Sequence, residues 1–307
     1  MRTDRKLKTV MAAGLLIVGL GVGETCAQDD AATERELERY RRMLKEDPWS
    51  NPGLLDADKG EALWKQKRGP RNASLERCDL GKGAGVVAGA FAELPRYFAD
   101  ADRVMDTEAR LVWCMEKLQG FPRSEILARP LSKANQQGTD LEALTTFIAT
   151  RSNGMTFAAP LRHAKEKAAR ALGEAAFFRR QGPMDFACAT CHGEQGRRIR
   201  LQGLPYLSRP EEARKVVGEW PAYRVSQGTV MTMQHRLSDC FWQMRLPLVD
   251  YGSDLTVAFN PQFLLDGLLA IEGEEAVLES MDPLKPATLR GGEHPEFLYL
   301  LMPVRIS

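Results

Sequence analysis

Phe186-Ala187-Cys188-Ala189-Thr190-Cys191-His192-Gly193 decides how this chain is read. Two thiols three positions apart on one helical turn can form thioethers to the two vinyl groups of a haem. The histidine beside the second thiol then falls under the iron as an axial ligand. A redox dithiol of the same spacing belongs in a βαβ setting, and half a zinc site needs further ligands nearby. Neither context accompanies this stretch. Cys188 and Cys191 are therefore read as attachment points for one haem c, and His192 as its first axial ligand.

The N-terminus fits an exported protein. Arg2, Arg5, Lys6 and Lys8 precede an uncharged apolar run from Val10 to about Val22, and Thr25-Cys26-Ala27 predicts cleavage before Gln28. The run is only about 13 residues, short of the roughly 20 a spanning helix needs, so it is read as a signal peptide over 1–27 and the remainder as free of membrane spans. Export places the protein in the periplasm. A formal net charge of +1 argues against nucleic acid and against a polybasic membrane surface as partners. Removing Cys26 leaves five cysteines, an odd number for an oxidising compartment. Cys188 and Cys191 are used by haem, and Cys78, Cys114 and Cys240 leave room for one disulfide and one functional thiol.

The mature chain of about 280 residues predicts two domains. Helices are expected over 56–65, 107–119 with Thr107 as N-cap, 139–150 and 161–180, and a charged arm or surface helix over 28–46. Gly182-Pro183 stops the helix ahead of the haem motif. Gly173 and Phe177 share one face of it, and a small residue there suits the close helix crossing of a cytochrome c. No strand alternation and no internal repeat stands out. The expected organisation is a mainly α, loop-rich chain of two cytochrome c-like domains in tandem: 28–151 without haem, 152–272 with it, and an extension over 273–307 with no assigned role.

Met231, Met233, Met244, His235 and Cys240 follow the motif as possible second ligands of the iron. A methionine would suit a pure electron carrier. A thiolate would set a nucleophilic sulfur against the iron. Arg236 and Arg245 flank Cys240, and guanidinium groups lower a thiol's pKa and bind oxyanions in a bidentate fashion. His235 is read as a surface histidine or a proton carrier, and His163 as an ordinary helix residue.

The run Arg236-Leu237-Ser238-Asp239-Cys240-Phe241-Trp242-Gln243-Met244-Arg245-Leu246-Pro247 resembles the signature of the SoxA family, the catalytic c-type cytochromes of the SoxAX complexes. The resemblance takes in Trp220-Pro221-Ala222-Tyr223-Arg224, the haem motif, Asn153-Gly154-Met155, Cys78-Asp79-Leu80-Gly81-Lys82-Gly83 and Leu94-Pro95-Arg96-Tyr97-Phe98-Ala99-Asp100. It implies a haem ligated by His192 and Cys240, with that cysteine found as a persulfide in the family. It implies an L-cysteine S-thiosulfotransferase that joins thiosulfate to a cysteine of the carrier SoxYZ, with two electrons leaving through haem to the cytochrome partner SoxX. In that frame Cys240, Arg236 and Arg245 are the catalytic set, and Cys78 and Cys114 form a disulfide in a first domain without haem. The chain departs from the family pattern after about Leu255, where a C-terminal helix is expected over 261–271 and then the extension.

Overall fold

The structure is a computed structural model. It describes residues 51–258 except 200, 201, 210, 211, 214, 215 and 217, several residues between 32 and 43, and the backbone of three strands between 276 and 301. The expected signal segment, with Cys26, and the helix expected over 261–271 lie outside the described residues. The chain divides into two compact units, Met1–Asn51 and Pro52–Ser307. In the first, the described residues from Ala32 to Met43 are helical and exposed.

The second unit is mainly α, and most expected helices form within a few residues of their expected ends. Helix α1 spans Gly53–Lys65. Helix α2 (Thr107–Cys114) continues through a π-helical turn, Met115–Gln119. Its N-cap is Asp106 rather than the expected Thr107, because the Asp106 carboxylate accepts from the Ala109 amide at 2.8 Å. After a short α3 (Arg123–Ile126), helix α4 (Asp140–Thr150) opens with a capping box between Thr139 and Glu142. Helix α5 (Ala164–Phe178) starts later than expected because His163 is its cap. The His163 Nδ1 accepts from the Lys165 amide, and its ring stacks on Tyr97 with centroids 3.6 Å apart. Helices α6 (Cys188–His192), α7 (Met233–Gln243) and α8 (Asp254–Ala258) complete the set.

Strands do occur, contrary to the sequence reading. They are antiparallel pairs of two or three residues, too short for alternation to register: β1 (Arg96–Phe98) with β2 (Arg103–Met105), β3 (Arg198–Ile199) with β4 (Gln202–Gly203), and β5 (Ala222–Arg224) with β6 (Thr229–Met231). A three-stranded meander of β7 (Ala276–Glu279), β8 (Ala287–Gly291) and β9 (Leu298–Leu301) follows.

The structure also reveals an internal repeat that the sequence reading missed. The bridge Arg68–Ala73 recurs as Gln181–Phe186, a shift of 113 positions (68 to 181). At that shift Gly69 and Gly182 both take positive φ, as do Asn72 and Asp185. Gly60 of α1 presses on the Ala143 carbonyl of α4, and Gly173 of α5 presses on the Ala258 carbonyl of α8. Further on, the shift becomes 126 (98 to 224). Hairpin β1–β2 recurs residue for residue as β5–β6. Each hairpin follows a cis-proline, Leu94-Pro95 or Trp220-Pro221, turns through a left-handed residue, Asp102 or Gly228, and leads through a capping residue into α2 or α7. Two different shifts and few shared residue types hide the repeat from the sequence alone.

The disulfide sits inside this plan. Cys78 and Cys114 are bonded, as the family resemblance implies. Both are buried among Trp64, Leu75, Leu111, Leu144 and Ile148. At the two shifts they correspond to Cys191 and Cys240. The first half thus carries a bond between sulfurs where the second half carries two free thiols.

The two halves meet around buried carboxylates. Glu108 Oε1 accepts from Thr232 Oγ1 at 2.6 Å and from the Tyr251 hydroxyl at 2.7 Å. Asp106 accepts from Gln234 Nε2 at 2.8 Å, and Gln234 Oε1 accepts from the Gly252 amide. His235 Nδ1 lies 2.6 Å from Glu142 Oε1, which is fully buried, so His235 is not the surface histidine expected. The first turn of α7 is therefore pinned to α2 and α4.

This packing makes two outcomes testable. A Cβ at Gly60 or Gly173 would sit 2.1 or 1.9 Å from a backbone oxygen. Gly60→Ala and Gly173→Ala should each lower unfolding free energy by about 1–3 kcal/mol in urea titrations, the scale of overpacking; unchanged midpoints would contradict the crossing. Burial, then the neighbouring Asp106, pushes the Glu108 carboxyl up to about 8 from its ordinary 4.5. The folded chain then holds a proton that the unfolded chain has released, so stability should fall as pH rises from about 4.5 to 8. Glu108→Gln should flatten that slope in pH-dependent thermal unfolding, and an unaltered slope would refute the assignment.

Candidate haem and thiol site

Helix α6 presents the attachment motif. The Ala187 amide donates to Thr190 Oγ1 at 2.9 Å, which tightens the first turn around Cys188 and Cys191. His192 Nδ1 lies 2.9 Å from the Pro205 carbonyl oxygen. A carbonyl only accepts, so Nδ1 carries the proton and Nε2 keeps its lone pair for a metal. Burial, which outweighs the opposing bond to Pro205, lowers the His192 pKa, and this keeps the imidazole neutral as ligation requires. Pro205 lies outside the motif, and no sequence signal marked it as the residue that sets the tautomer.

Helix α7 supplies the facing groups. The Thr232 hydroxyl caps it, accepting from the His235 amide. Arg236 and Cys240 follow one turn apart on one face. The Arg236 guanidinium donates to Asp239 at 2.7 Å, and Gln243 donates to the same carboxylate oxygen at 2.8 Å. Asp239 therefore orients Arg236, a role the sequence reading did not assign. Burial raises the Cys240 pKa and outweighs the lowering by Arg236, while Cys191 and Asp239 add to the rise. The expectation that guanidinium groups make this thiol acidic is thus corrected: left to itself, Cys240 stays protonated. Burial, with Cys240 next in weight, pushes the Cys188 thiol up to about 12, and Cys191 adds a smaller rise.

These effects place Cys188, Cys191, His192, Cys240 and Arg236 in one neighbourhood. Arg245 lies against Trp242. It lies past the end of α7 at φ 56°, with its guanidinium 5.7 Å from the ring centroid of the exposed Trp242. Met233 lines a small cavity of about 30 Å³ with Asp106, Glu108 and Trp220, and Met231 is buried in β6. The remaining donor set fits haem c: two free thiols on one turn, an imidazole with a free Nε2, and a third thiol on a facing helix.

The comparison between the halves sharpens the role of Arg236. Its counterpart in α2, at the shift of 126, is Arg110. Arg110 is nearly fully buried and forms a bidentate pair with Asp100, at 2.9 and 2.8 Å. Its Nε donates to the Asp79 carbonyl, and it stacks on Phe98 and Trp113. In the second half Ser226 stands for Asp100, Arg224 for Phe98 and Asp239 for Trp113. The His192 carbonyl, counterpart of the Asp79 carbonyl, is taken by the Leu207 amide. Arg236 has lost the partners that make Arg110 structural, so its guanidinium is left with Asp239 and spare donors.

Known proteins match the chain in two segments. The model for the SoxA/TsdA cytochrome c domain matches residues 59–157, the half without the attachment motif. The chain is 46% identical over 264 residues to L-cysteine S-thiosulfotransferase subunit SoxA of Hydrogenophilus thermoluteolus, covering 85% of this chain and 95% of that protein. It is 31% identical over 235 residues to a SoxA of Hydrogenobacter thermophilus, covering 76% and 86%. The crystal structure of SoxXA from P. pantotrophus shares the fold at TM-score 0.58 and 22% identity, over 74% of this chain and 78% of that one. A different family, that of the C-terminal domain of the DNA polymerase III beta subunit, matches residues 246–305. The beta sliding clamp of Streptomyces coelicolor is 48% identical over 62 residues, 18% of this chain and only 16% of the clamp. This second likeness covers the extension and overlaps the end of the expected haem segment. The identity to SoxA over most of both chains is decisive for the rest: the chain belongs to the SoxA family.

Proposed function

We propose that this protein is a periplasmic L-cysteine S-thiosulfotransferase that couples thiosulfate to a cysteine of the carrier SoxYZ, with SoxX as its cytochrome partner. The observation that carries the reading is the placement of Cys240. It sits on α7, one turn from a guanidinium with spare donors and in the neighbourhood of His192 and the two attachment thiols. The family's reaction is the second support. In this reading two cytochrome c-like domains meet near Arg151. Cys188 and Cys191 would attach one haem c, and His192 and Cys240 would hold its iron.

The net conversion joins the outer sulfur of thiosulfate to the carrier sulfur, releases the thiol proton and removes two electrons. A bound haem c would supply one-electron redox chemistry, and an iron held by Cys240 would favour that residue's thiolate form. The chain's own groups do the rest. The Pro205 carbonyl holds the Nδ1 proton of His192, so the imidazole points its free nitrogen one way only. Arg236 offers two-point recognition of a sulfonate oxygen pair and favours negative charge on Cys240. Asp239 keeps the guanidinium from swinging away. Pinning of α7 by Glu108 and Glu142 fixes where the Cys240 sulfur stands. Arg245, over the Trp242 ring, is given a weaker part.

Cys240→Ala should keep its covalent haem on denaturing gels and lose thiosulfate coupling by at least roughly 100-fold, the scale for loss of an essential nucleophile. The assay is purified protein with its cytochrome partner, thiosulfate and SoxYZ, read by the mass of the carrier. Full coupling by Cys240→Ala would overturn the assignment of Cys240 as the essential sulfur. Arg236→Lys should raise KM for thiosulfate about tenfold, because an ammonium cannot reproduce the planar fork; an unchanged KM would remove Arg236 from the anion site.

A further inference from the structure

The internal repeat assigns a role to a residue that neither the motif nor the sequence reading singled out. In the first half, Phe98 of β1 lies under the α2 arginine, with the Arg110 guanidinium carbon 4.0 Å from the ring centroid. The second half rebuilds this corner with the same hairpin register: Phe98 pairs with Arg103, and Arg224 pairs with Thr229. The cis-proline before it, the left-handed turn within it, the cap and the helix start after it also coincide. The strand position that covers the helix arginine in the first half thus has a register equivalent in the second. In the first half it holds an aromatic ring. In the second it holds another guanidinium.

From this we infer that Arg224 is a second cationic residue of the anion site at Cys240, placed on β5 beside Arg236 on α7 to hold the sulfonate end of thiosulfate. The inference rests on the thiosulfate reading of Cys240. Two observations support a ligand rather than a structural role. Arg110, the structural case, is buried and has a bidentate carboxylate; the corresponding position to Asp100 is Ser226, which offers no charge. The Arg224 guanidinium itself makes no hydrogen bond or ion pair to any described residue and rests over the Trp220 ring at 5.9 Å, an arrangement that steadies it while leaving its donors unspent. Asp239 balances Arg236, so a second guanidinium at this corner leaves one positive charge over, and a dianion held by both forks offsets it. Thiosulfate, with three terminal oxygens on one sulfur, can accept from two such forks while its outer sulfur remains free to face Cys240. Arg224 is a specificity residue in this scheme, and Arg236 is the nearer partner of the reacting sulfur.

The test uses haem-loaded protein with its cytochrome partner and SoxYZ. Arg224→Phe installs the residue that the first half already carries at this corner, and so preserves packing against a helix arginine. Arg224→Lys keeps the charge and loses the fork. The expected result is a KM for thiosulfate raised about tenfold in Arg224→Phe, the weight of a charge-assisted hydrogen bond, with a smaller rise in Arg224→Lys and a lesser change in kcat. The electron paramagnetic resonance signature of the haem should match wild type in both. A wild-type KM in Arg224→Phe would overturn the assignment. So would a changed haem signature with KM and kcat falling together, which would mark Arg224 as structural. Cys240→Ala, run in parallel, separates the two levels. If that variant keeps full turnover, the thiosulfate reading itself fails. If it loses turnover while both Arg224 variants keep the wild-type KM, only the role of Arg224 fails.

Discussion

The buried carboxylates Asp106, Glu108 and Glu142 are the constraint on which the site depends. They belong to the half without a haem motif, yet they hold the first turn of α7 in the other half through Gln234, Thr232 and His235. Carboxylates are rarely placed out of water without partners; each of these is bonded to the start of α7, and Asp106 and Glu142 also accept from amides of their own half. Glu108 also takes the Tyr251 hydroxyl, and Gln234 takes the Gly252 amide, so the chain leaving α7 is tied to the same knot. From Thr232 onwards, helical geometry fixes Arg236 and Cys240 one turn apart. The first half thus positions the thiol of the second.

The repeat explains how one plan supports two outcomes. Both halves use a glycine to bring two helices into backbone contact, a cis-proline hairpin to reach a capped helix, and a helix that presents an arginine four residues before a cysteine. In the first half the arginine is buried against Asp100, Phe98 and Trp113, and the cysteine is closed in a disulfide. Those choices stabilise a core. In the second half the carboxylate and rings are gone and the sulfurs are free. Partners that satisfy a group have been removed, and groups left unsatisfied are what a ligand needs. Beyond this plan, the meander β7–β9 falls within the segment that resembles a sliding clamp, which gives the extension a different likeness from the rest of the chain.

Much of this was legible in the sequence. Cys188-Ala-Thr-Cys191-His192 raised the expectation of a haem c, the helices α1, α4 and α5 showed in their spacing, and Cys240 with Arg236 stood out through the family run. What escaped is what depends on distant partners. Pro205 fixes the His192 tautomer through a backbone carbonyl, which carries no residue-type signal. Glu142 reaches His235 across 93 positions, so a histidine that looks exposed in sequence is held against a buried acid. The Cys240 pKa was misjudged because flanking arginines are visible in a sequence while burial is not. Arg224 became meaningful only when the shared hairpin register set it against Phe98.

The central proposal is that Cys240 would supply a sulfur ligand to the haem iron. Iron-edge X-ray absorption on haem-loaded wild-type protein and on Cys240→Ser tests it directly. The account predicts a sulfur atom in the first coordination shell of the wild type and its loss in the variant. A sulfur shell that survives in Cys240→Ser would assign the ligand to a methionine and contradict the account.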